Sequence, residues 1–565
     1  MTTVSAAKPW LAHYAPGVPH EIPPVEVSLP EFLADSARRH PRGVALEFFG
    51  ARTTYVELSE QIERAAEGLR RLGVGAGDRV AIILPNCPQH IVAFYAVLRL
   101  GAIVAEHNPL YTARELETQF ADHGAKVAIA WRKVVPLLQE LPDAVRPTTI
   151  VDVDLIAAMP PKMRLMLKLP IRKAREAREA LTTEVHGTTP WSALIESEPI
   201  AATVPGPKPQ DTAILLYTSG TTGTPKGAML SHANLITNAL QTSAWIPEFA
   251  YPGATVYGVM PMFHAYGLTL GLTFAMGAGA KLVLYPRFDP EMVLETAKRD
   301  PAAVFAGAPP IYQKVLAAAA AKGQSLAGIG VGISGAMPLP HDIAGPWEAA
   351  TGGTLIEAYG LSETSPALIA NPNTDERRIG WIGVPISSTE VRVVDPETLA
   401  DVEPGQEGEI IGRGPQIFQG YWNKPEETAE VFVEATDGGD PWFRTGDIGV
   451  MDESGFVKVV DRIKELVITA GFNVAPSEVE NVIREHPTIE DVAVVGLPDP
   501  VAGEQVVAAV VLAPGAKLDV EALTAHARAH LGGYKVPKRF VVIDELPRNV
   551  LGKVLRRRVR ESLLR

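Results

Sequence analysis

The sequence predicts an α/β fold of more than one domain, with parallel sheet covered by helices on both faces. Continuous apolar runs of strand length alternate with helical patterns through the first part of the chain, which suits parallel strands buried on both sides. A length of 565 residues is too great for one core. A composition of 46% hydrophobic and 21% charged residues is that of a soluble globular enzyme, not of a disordered chain.

The apolar spacing over 56–72 predicts a helix that ends at Gly73. Residues 79–84 follow as a buried strand, 88–100 as a second helix, and 102–105 and 126–130 as two further strands. The five alanines at 317–321 read as helix. Near the end, 466–468, 476–485 and 492–495 read as strand, helix and strand, a small α+β pattern of their own.

The net charge of −13 argues against nucleic acid as a partner. An anionic substrate must then be held by local cations. Cys87 is the only cysteine, which excludes an intrachain disulfide and a Cys-rich metal site and suits a reducing compartment. Residues 1–20 lack a signal-type apolar core, and no run approaches the roughly 20 residues of a spanning helix, so a cytoplasmic protein is expected. One segment inverts the local charge. Residues 159–181 carry seven Lys or Arg against two Glu, interleaved with Met163, Leu165, Met166, Leu167, Leu169 and Ile171. Two readings stand: peripheral contact with anionic lipid at the inner face of a membrane, or a solvated insertion packing its apolar side on the domain. Pro170 interrupts any helix there.

The chain is organised around 217–227, YTSGTTGTPKG, in which eight of eleven residues are Gly, Ser or Thr. An apolar, β-prone run at 213–216 precedes it and a helix-like stretch at 231–236 follows. Strand, hydroxyl-rich loop and helix suit a polyphosphate, because amide N–H groups converge, hydroxyls donate and Lys226 offsets charge. Lys226 lies between Pro225 and Gly227, so this is not a Walker A loop. On composition alone, a mobile surface loop is the alternative.

The loop resembles the phosphate-loop signature of the adenylate-forming (ANL) superfamily: acyl-CoA synthetases, peptide-synthetase adenylation domains and firefly luciferase. Further motifs of that family follow in its order: 261–267 (PMFHAYG), 334–336 (SGA), 359–364 (YGLSET), 445–447 (TGD), 461–465 (DRIKE), 471–474 (GFNV) and 547–553 (PRNVLGK). The resemblance is greatest to bacterial long-chain fatty acid–CoA ligases, the placement of the basic insertion included. It implies a large N-terminal domain, 1–463, of parallel-sheet αβ layers plus a β-barrel-like part. A small mobile α+β domain, 464–565, is implied to follow a hinge at Lys464.

The resemblance also implies roles. Thr218, Ser219, Gly220, Thr221, Thr222, Gly223 and Lys226 would hold the ATP phosphates, with Gly335, Ala336, Tyr359 and Gly360 at the adenine. Glu363 would be the Mg²⁺ ligand, Thr364 a phosphate hydrogen-bond donor, and Asp447 and Arg462 the ribose partners. His264 and its aromatic neighbours would wall the carboxylate site from the acyl pocket, and the almost uncharged run to Gly279 suits a fatty tail. Gly471 and Phe472 would line the coenzyme A tunnel, although Thr469-Ala470 stands where many relatives place a lysine before that glycine. Lys553 would reach the carboxylate and the α-phosphate. It completes an implied catalytic set with Glu363, His264 and Thr218. From the residues alone, His264 reads as structural, Glu363 as a surface acid, Asp447 as part of a solvated turn and Lys553 as a solvated charge.

The reaction implied is activation of a medium- or long-chain fatty acid by Mg·ATP as acyl-adenylate, followed by transfer to coenzyme A. A peptide-synthetase module would continue into a carrier domain, whereas this chain stops twelve residues past Lys553. A carrier protein in trans, an acyl-AMP ligase and a luciferase-like oxygenase remain as alternatives. So does a non-catalytic lipid- or nucleotide-binding relative, against which the intact Lys226, Glu363, Asp447 and Lys553 argue. Chain length, pathway and the choice between monomer and homodimer are left open by the sequence.

Overall fold

The computed structural model describes residues 7–218, 225–469, 472–499, 502–549 and 552–564, without the side chains of 464, 472 and 473. They form two compact units. One comprises Leu11–Glu390 and Arg413–Phe443, the other Val391–Gly412 and Arg444–Arg565 together with residues 7–10. Residues 391–412 and 444–463 therefore group with the C-terminal part, whereas a division at Lys464 would assign them to the N-terminal domain.

The larger unit holds two mostly parallel sheets. The eight-stranded sheet runs in the order Gly420–Tyr421, Lys226–Ser231, Thr212–Thr218, Ile103–Glu106, Arg79–Ile83, Val127–Trp131, Thr149–Val153, Thr189–Pro190. Its pairs from Thr212–Thr218 to Thr189–Pro190 are parallel. The predicted strands and helices of the first part are all here. The helix expected over 56–72 spans Tyr55–Arg71, capped by Thr54 and Glu57 in a reciprocal box. Such a cap contributes about 1 kcal/mol. The chain leaves it through Gly73 at φ 89°, a conformation that glycine adopts without Cβ strain. The helix Pro88–Arg99 is buried from Gln89 to Leu98, as an element between two packed layers must be.

The nine-stranded sheet runs Val384–Pro385, Ala367–Ala370, Thr354–Gly360, Val331–Ser334, Val304–Gly307, Thr255–Gly258, Lys281–Leu284, Val44–Phe48, Ala51–Thr54. From Thr354–Gly360 to Val44–Phe48 every pair is parallel. The motifs at 334–336 and 359–364 begin where two adjacent strands of this sheet end, the usual place for a site in an α/β sheet.

The path around the phosphate loop differs from the expected strand, loop and helix. A second strand, Lys226–Ser231, returns antiparallel to Thr212–Thr218, with Thr218 opposite Lys226. The following helix, His232–Trp245, starts only at Ser231, whose hydroxyl accepts from the Asn234 amide while Asn234 caps the Ser231 amide. Its N-terminal donors are thus met locally. The described residues on either side, Thr218 and Lys226, thus belong to one antiparallel strand pair, and Lys226 opens a strand and not a helix.

In the smaller unit, Ile489–Asp499 and Gly503–Leu512 form a long antiparallel pair, extended by Val467–Thr469 and Phe472–Val474 on one side. Arg539–Val542 adds a parallel strand. The helices Pro476–Arg484 and Val520–His530 pack on it through Val479, Ile483, Leu523 and Ala527. This is the α+β pattern expected of the C-terminal part. Outside the two large sheets, Glu390–Val394, Glu407–Arg413 and Trp442–Met451 lie side by side in a five-stranded sheet, with Val457–Arg462 paired to Trp442–Met451. Among the described residues, no helix is long and apolar enough to cross a membrane.

Candidate active site

In the larger unit the hairpin places Lys226 beside two groups distant in sequence. The edge strand Gly420–Tyr421 pairs with Lys226–Ser231, Tyr421 opposite Ala228, and the Trp422 amide donates to the Gly227 carbonyl at 2.8 Å. The pairing sets the Tyr421 ring 5.2 Å from the Lys226 ammonium. The Tyr421 hydroxyl donates to Glu363 Oε1 at 2.8 Å, with both side chains buried. Burial first, and the Glu363 charge next, push the Tyr421 pKa far up, so the phenol keeps its proton and remains a donor. Sequence reasoning missed Tyr421. Nothing in the local Gly420-Tyr421-Trp422 run signals it, since only sheet pairing brings 226, 363 and 421 together.

One residue before the closing pair of Thr218 and Lys226, the Tyr217 hydroxyl donates to Asp122 Oδ2 at 2.7 Å. Ser219, Gly220, Thr221, Thr222 and Gly223 lie outside the described residues; Thr218 closes the strand that leads to them.

Gly335 and Ala336 follow the strand Val331–Ser334, and Ala336 takes the left-handed conformation, φ 68°. A Cβ at Gly335 would lie 3.3 Å from the Tyr266 ring. That ring is held by its hydroxyl, which donates to the Ile333 and Gly307 carbonyls at 2.6 and 3.1 Å. Tyr359 sits at the end of Thr354–Gly360, opposite Ile369. At Gly360 only glycine fits, because a Cβ there would be 1.7 Å from the Pro366 carbonyl oxygen. Thr364 is fully buried; its Oγ1 accepts from the Leu361 amide and donates to the Pro366 carbonyl. Its hydroxyl proton is therefore committed inside the turn that presents Glu363.

Glu357, two residues before Tyr359, was not singled out from the sequence. Its Oε1 accepts from the Leu339 amide at 3.0 Å, Oε2 is buried without a hydrogen-bond partner, and burial raises the pKa to about 7. His264 has a buried Nε2 with no partner, and burial lowers its pKa to about 4, so the ring is neutral at pH 7. Beyond it the chain forms a π-helical stretch, Leu268–Thr273. A narrow apolar crevice is lined by Thr242, Trp245, Leu270, Ile333, Ala358 and Ile386, beside the strand ends that carry 334–336 and 359–360.

In the smaller unit, Asp447 and Arg462 are direct partners in register between Trp442–Met451 and Val457–Arg462. Arg462 Nε lies 2.9 Å from Asp447 Oδ1. Lys553 is drawn into the same charge cluster. Burial lowers its pKa, Arg462 lowers it further, and Glu465 and Asp447 oppose the shift. Its amide donates to Asn549 Oδ1 at 2.9 Å and its carbonyl accepts from the Asn549 amide, which closes the turn that carries it. Arg556 ties this cluster together, with hydrogen bonds to Glu480 at 2.7 Å and to Ser477 at 3.0 Å. Lys464 lies in the single turn Ile463–Glu465 and Phe472 opens the strand Phe472–Val474. Both side chains, and the whole of Gly471, lie outside the described residues.

Among the described residues, no cluster of three or more His, Cys, Asp or Glu could cage a metal. A Mg²⁺ ion shared with a polyphosphate needs no such cage, because one carboxylate with phosphate and water oxygens suffices. Glu363, oriented by Tyr421 near Lys226, fits that requirement.

The AMP-binding enzyme family matches residues 33–422, and the AMP-binding enzyme C-terminal domain matches 478–553. A long-chain-fatty-acid–CoA ligase of Bacillus subtilis (strain 168) is 39% identical over 99% of each chain. One from Escherichia coli O157:H7 is 35% identical over 98% of each. Among solved structures, ATP-bound MatB from Rhodopseudomonas palustris superposes with a TM-score of 0.78 at 30% identity, covering 95% of this chain and 99% of that one. A Mycobacterium tuberculosis fatty acyl CoA synthetase gives 0.72 at 26% identity, over 95% and 98%. Relatives that align from end to end, and two family regions that contain Lys226, His264, Tyr359, Glu363 and Lys553, leave one assignment: the chain belongs to the AMP-binding enzyme family.

Proposed function

We propose that the protein is an ATP-dependent, AMP-forming fatty acid–CoA ligase of the long-chain type. The observation that carries the reading is the end-to-end similarity to long-chain-fatty-acid–CoA ligases. The Lys226–Tyr421–Glu363 arrangement supplies the chemistry at the phosphates.

A fatty acid carboxylate attacks the α-phosphorus of ATP and expels pyrophosphate; the thiol of coenzyme A then attacks the acyl carbon and expels AMP. The carboxylate is ionised at pH 7, so no general base is needed. Positioning and charge neutralisation carry the barrier. Lys226 and the loop hydroxyls would hold the phosphates, and Glu363, its carboxylate fixed by Tyr421, would hold Mg²⁺. When bound, that ion neutralises phosphate charge. Asp447 accepts from the ribose hydroxyls, and Arg462 keeps that carboxylate in place. Lys553 is poorly solvated, so the negative charge that develops between carboxylate and α-phosphate is its best partner. Neutral His264 lets the fatty tail pass an uncharged wall. The almost uncharged run from His264 to Gly279 suits that tail, with about 0.8 kcal/mol per buried methylene favouring longer chains. The proposal keeps the hinge at Lys464, a mobile C-terminal domain, and coenzyme A approaching past Gly471 and Phe472. Peripheral membrane contact through 159–181 also belongs to it.

The test is thioester formation with coenzyme A across saturated acids from acetate upward. Efficiency should rise with chain length into the long-chain range. A peak at the shortest acids would refute the long-chain part. Adenylation without thioester would point to a carrier protein as acceptor.

A further inference from the structure

Asn86 lies in the turn between the strand Arg79–Ile83 of the eight-stranded sheet and the helix Pro88–Arg99, and it is only 3% exposed. Its side chain crosses to the nine-stranded sheet, where the strand Thr255–Gly258 has just ended. There Nδ2 donates to the Gly258 carbonyl at 2.9 Å and to the Met260 carbonyl at 2.8 Å, and Oδ1 accepts from the Met262 amide at 2.9 Å. Both amide protons and the oxygen are used. A flipped amide would set its oxygen against two carbonyls, so the partners fix the orientation. The turn is itself held. Pro85 and Pro88 restrict the backbone on either side, while His90 Nδ1 lies 3.3 Å from the Pro85 carbonyl and Nε2 2.9 Å from Glu106 Oε1.

The three groups that Asn86 meets lie in residues 258–262, which lead to Phe263 and His264. Residues 259–264 belong to no helix or strand, so their buried backbone groups need partners from elsewhere. Within the segment the His264 amide donates to the Pro261 carbonyl at 3.2 Å, and the Leu268 amide donates to the His264 carbonyl at 2.9 Å. Gly267 packs onto the same turn, for a Cβ there would strike the Pro261 and Met260 carbonyl oxygens. The segment is a compact knuckle, tied inside by its own backbone and tied to the other sheet by Asn86. Val259, Met260 and Met262 are buried in it, whereas Phe263 and His264 are half-buried.

We propose that Asn86 is a positioning residue for the acid half of the reaction, setting residues 258–262 so that Phe263 and His264 stand between the carboxylate site and the acyl pocket. The inference rests on the ligase reading, which gives His264 that place, and extends it to a residue of the other sheet. His264 Nε2 is buried without a hydrogen-bond partner, so no bond at that nitrogen holds the ring, and its direction depends on the backbone that carries it. Misplacement by about 1 Å costs on the order of a hundredfold in rate, so the wall needs its backbone fixed. Loss of the Asn86 amide strands two carbonyls and one N–H. The segment must then turn to recover partners, and the imidazole turns with it. Lys226, Tyr359 and Glu363 sit on other elements, so the effect falls on the acid and not on ATP.

The experiment is acid-dependent exchange of pyrophosphate into ATP by Asn86→Ala, with octanoate and palmitate as the acids and thermal melting in parallel. The variant should lose at least about tenfold in kcat/KM for both acids, while its KM for ATP stays within about twofold of the parent. The loss should be equal for the two acids, because the wall stands at the carboxylate end and not along the tail. Adding Asn86→Ala to His264→Ala should cost no more than about threefold beyond His264→Ala alone, since the first residue acts through the second. Asn86→Asp gives a second measure, independent of whether the alanine variant folds. Its carboxylate would face two carbonyls, whereas its protonated form accepts from Met262 and donates to one of them. Its activity relative to the parent should therefore rise as pH falls from about 8 to about 6. An unchanged kcat/KM for the acids in folded Asn86→Ala, an equal loss for acid and ATP, losses that multiply in the double variant, or a flat pH ratio for Asn86→Asp overturns the proposal and leaves an active parent as a ligase. A parent that exchanges pyrophosphate with neither acid overturns the ligase reading and this proposal with it.

Discussion

Removal of one hydroxyl, Tyr421→Phe, tests how the phosphate site is assembled. The ring that lies 5.2 Å from Lys226 remains, and only the 2.8 Å hydrogen bond to Glu363 Oε1 is lost. A hydrogen bond to a charged group is worth about 1.5–3 kcal/mol, more than a neutral pair, because a buried carboxylate deprived of its donor cannot recover it from water. Felt fully in the transition state, that loss slows adenylation roughly 10- to 150-fold. The assay is acid-dependent exchange of pyrophosphate into ATP, titrated with Mg²⁺, with thermal melting in parallel. The half-saturating Mg²⁺ concentration should rise as well, because the carboxylate is no longer held in one orientation. Glu363→Ala should itself cost at least about tenfold, and adding Tyr421→Phe to it should cost little more, since the two act as one unit. A folded Tyr421→Phe protein that exchanges within about twofold of the parent at every Mg²⁺ level would refute the reasoning.

The two half-reactions should separate genetically. Lys553→Ala should lose most pyrophosphate exchange yet still convert supplied acyl-adenylate and coenzyme A into thioester. Lys464→Pro should do the reverse, because proline fixes φ near −65° and removes an amide donor at a backbone that must turn; equal loss of both halves in both folded mutants would defeat the hinge assignment. Glu357 gives a pH prediction. Its pKa is raised from 4.5 to about 7, so the folded state holds the proton more tightly than the unfolded one. Stability from this group is full below pH 4.5 and falls as pH rises towards 7, by roughly 3 kcal/mol at most. Glu357→Gln should therefore melt higher than the parent above pH 7 and lose that part of the slope, and parallel melting curves from pH 4 to 8 would contradict it.

Much of this protein is legible locally. The helix Tyr55–Arg71 and the strands Arg79–Ile83, Ile103–Glu106 and Val127–Trp131 lie within a residue or so of their expected bounds, because apolar period and caps are properties of neighbouring residues. The motif residues could be named because their order along the chain matches a known family. Other features depend on pairing between distant segments, which no window of sequence contains. The strand Lys226–Ser231 replaced an expected direct entry into a helix because its backbone pairs antiparallel with Thr212–Thr218, and its other edge pairs with Gly420–Tyr421. Only then did Tyr421 meet Glu363 and Lys226. The raised Glu357 and lowered Lys553 pKa values are also tertiary, since desolvation depends on what packs around a charge. The composition of 159–181 allowed both a packed and a lipid-facing insertion. Only the structure shows that Met159 and Ala174 are buried while Leu165 and Ile171 stay exposed, because which side of an amphipathic segment meets the domain is set by the surface it lands on.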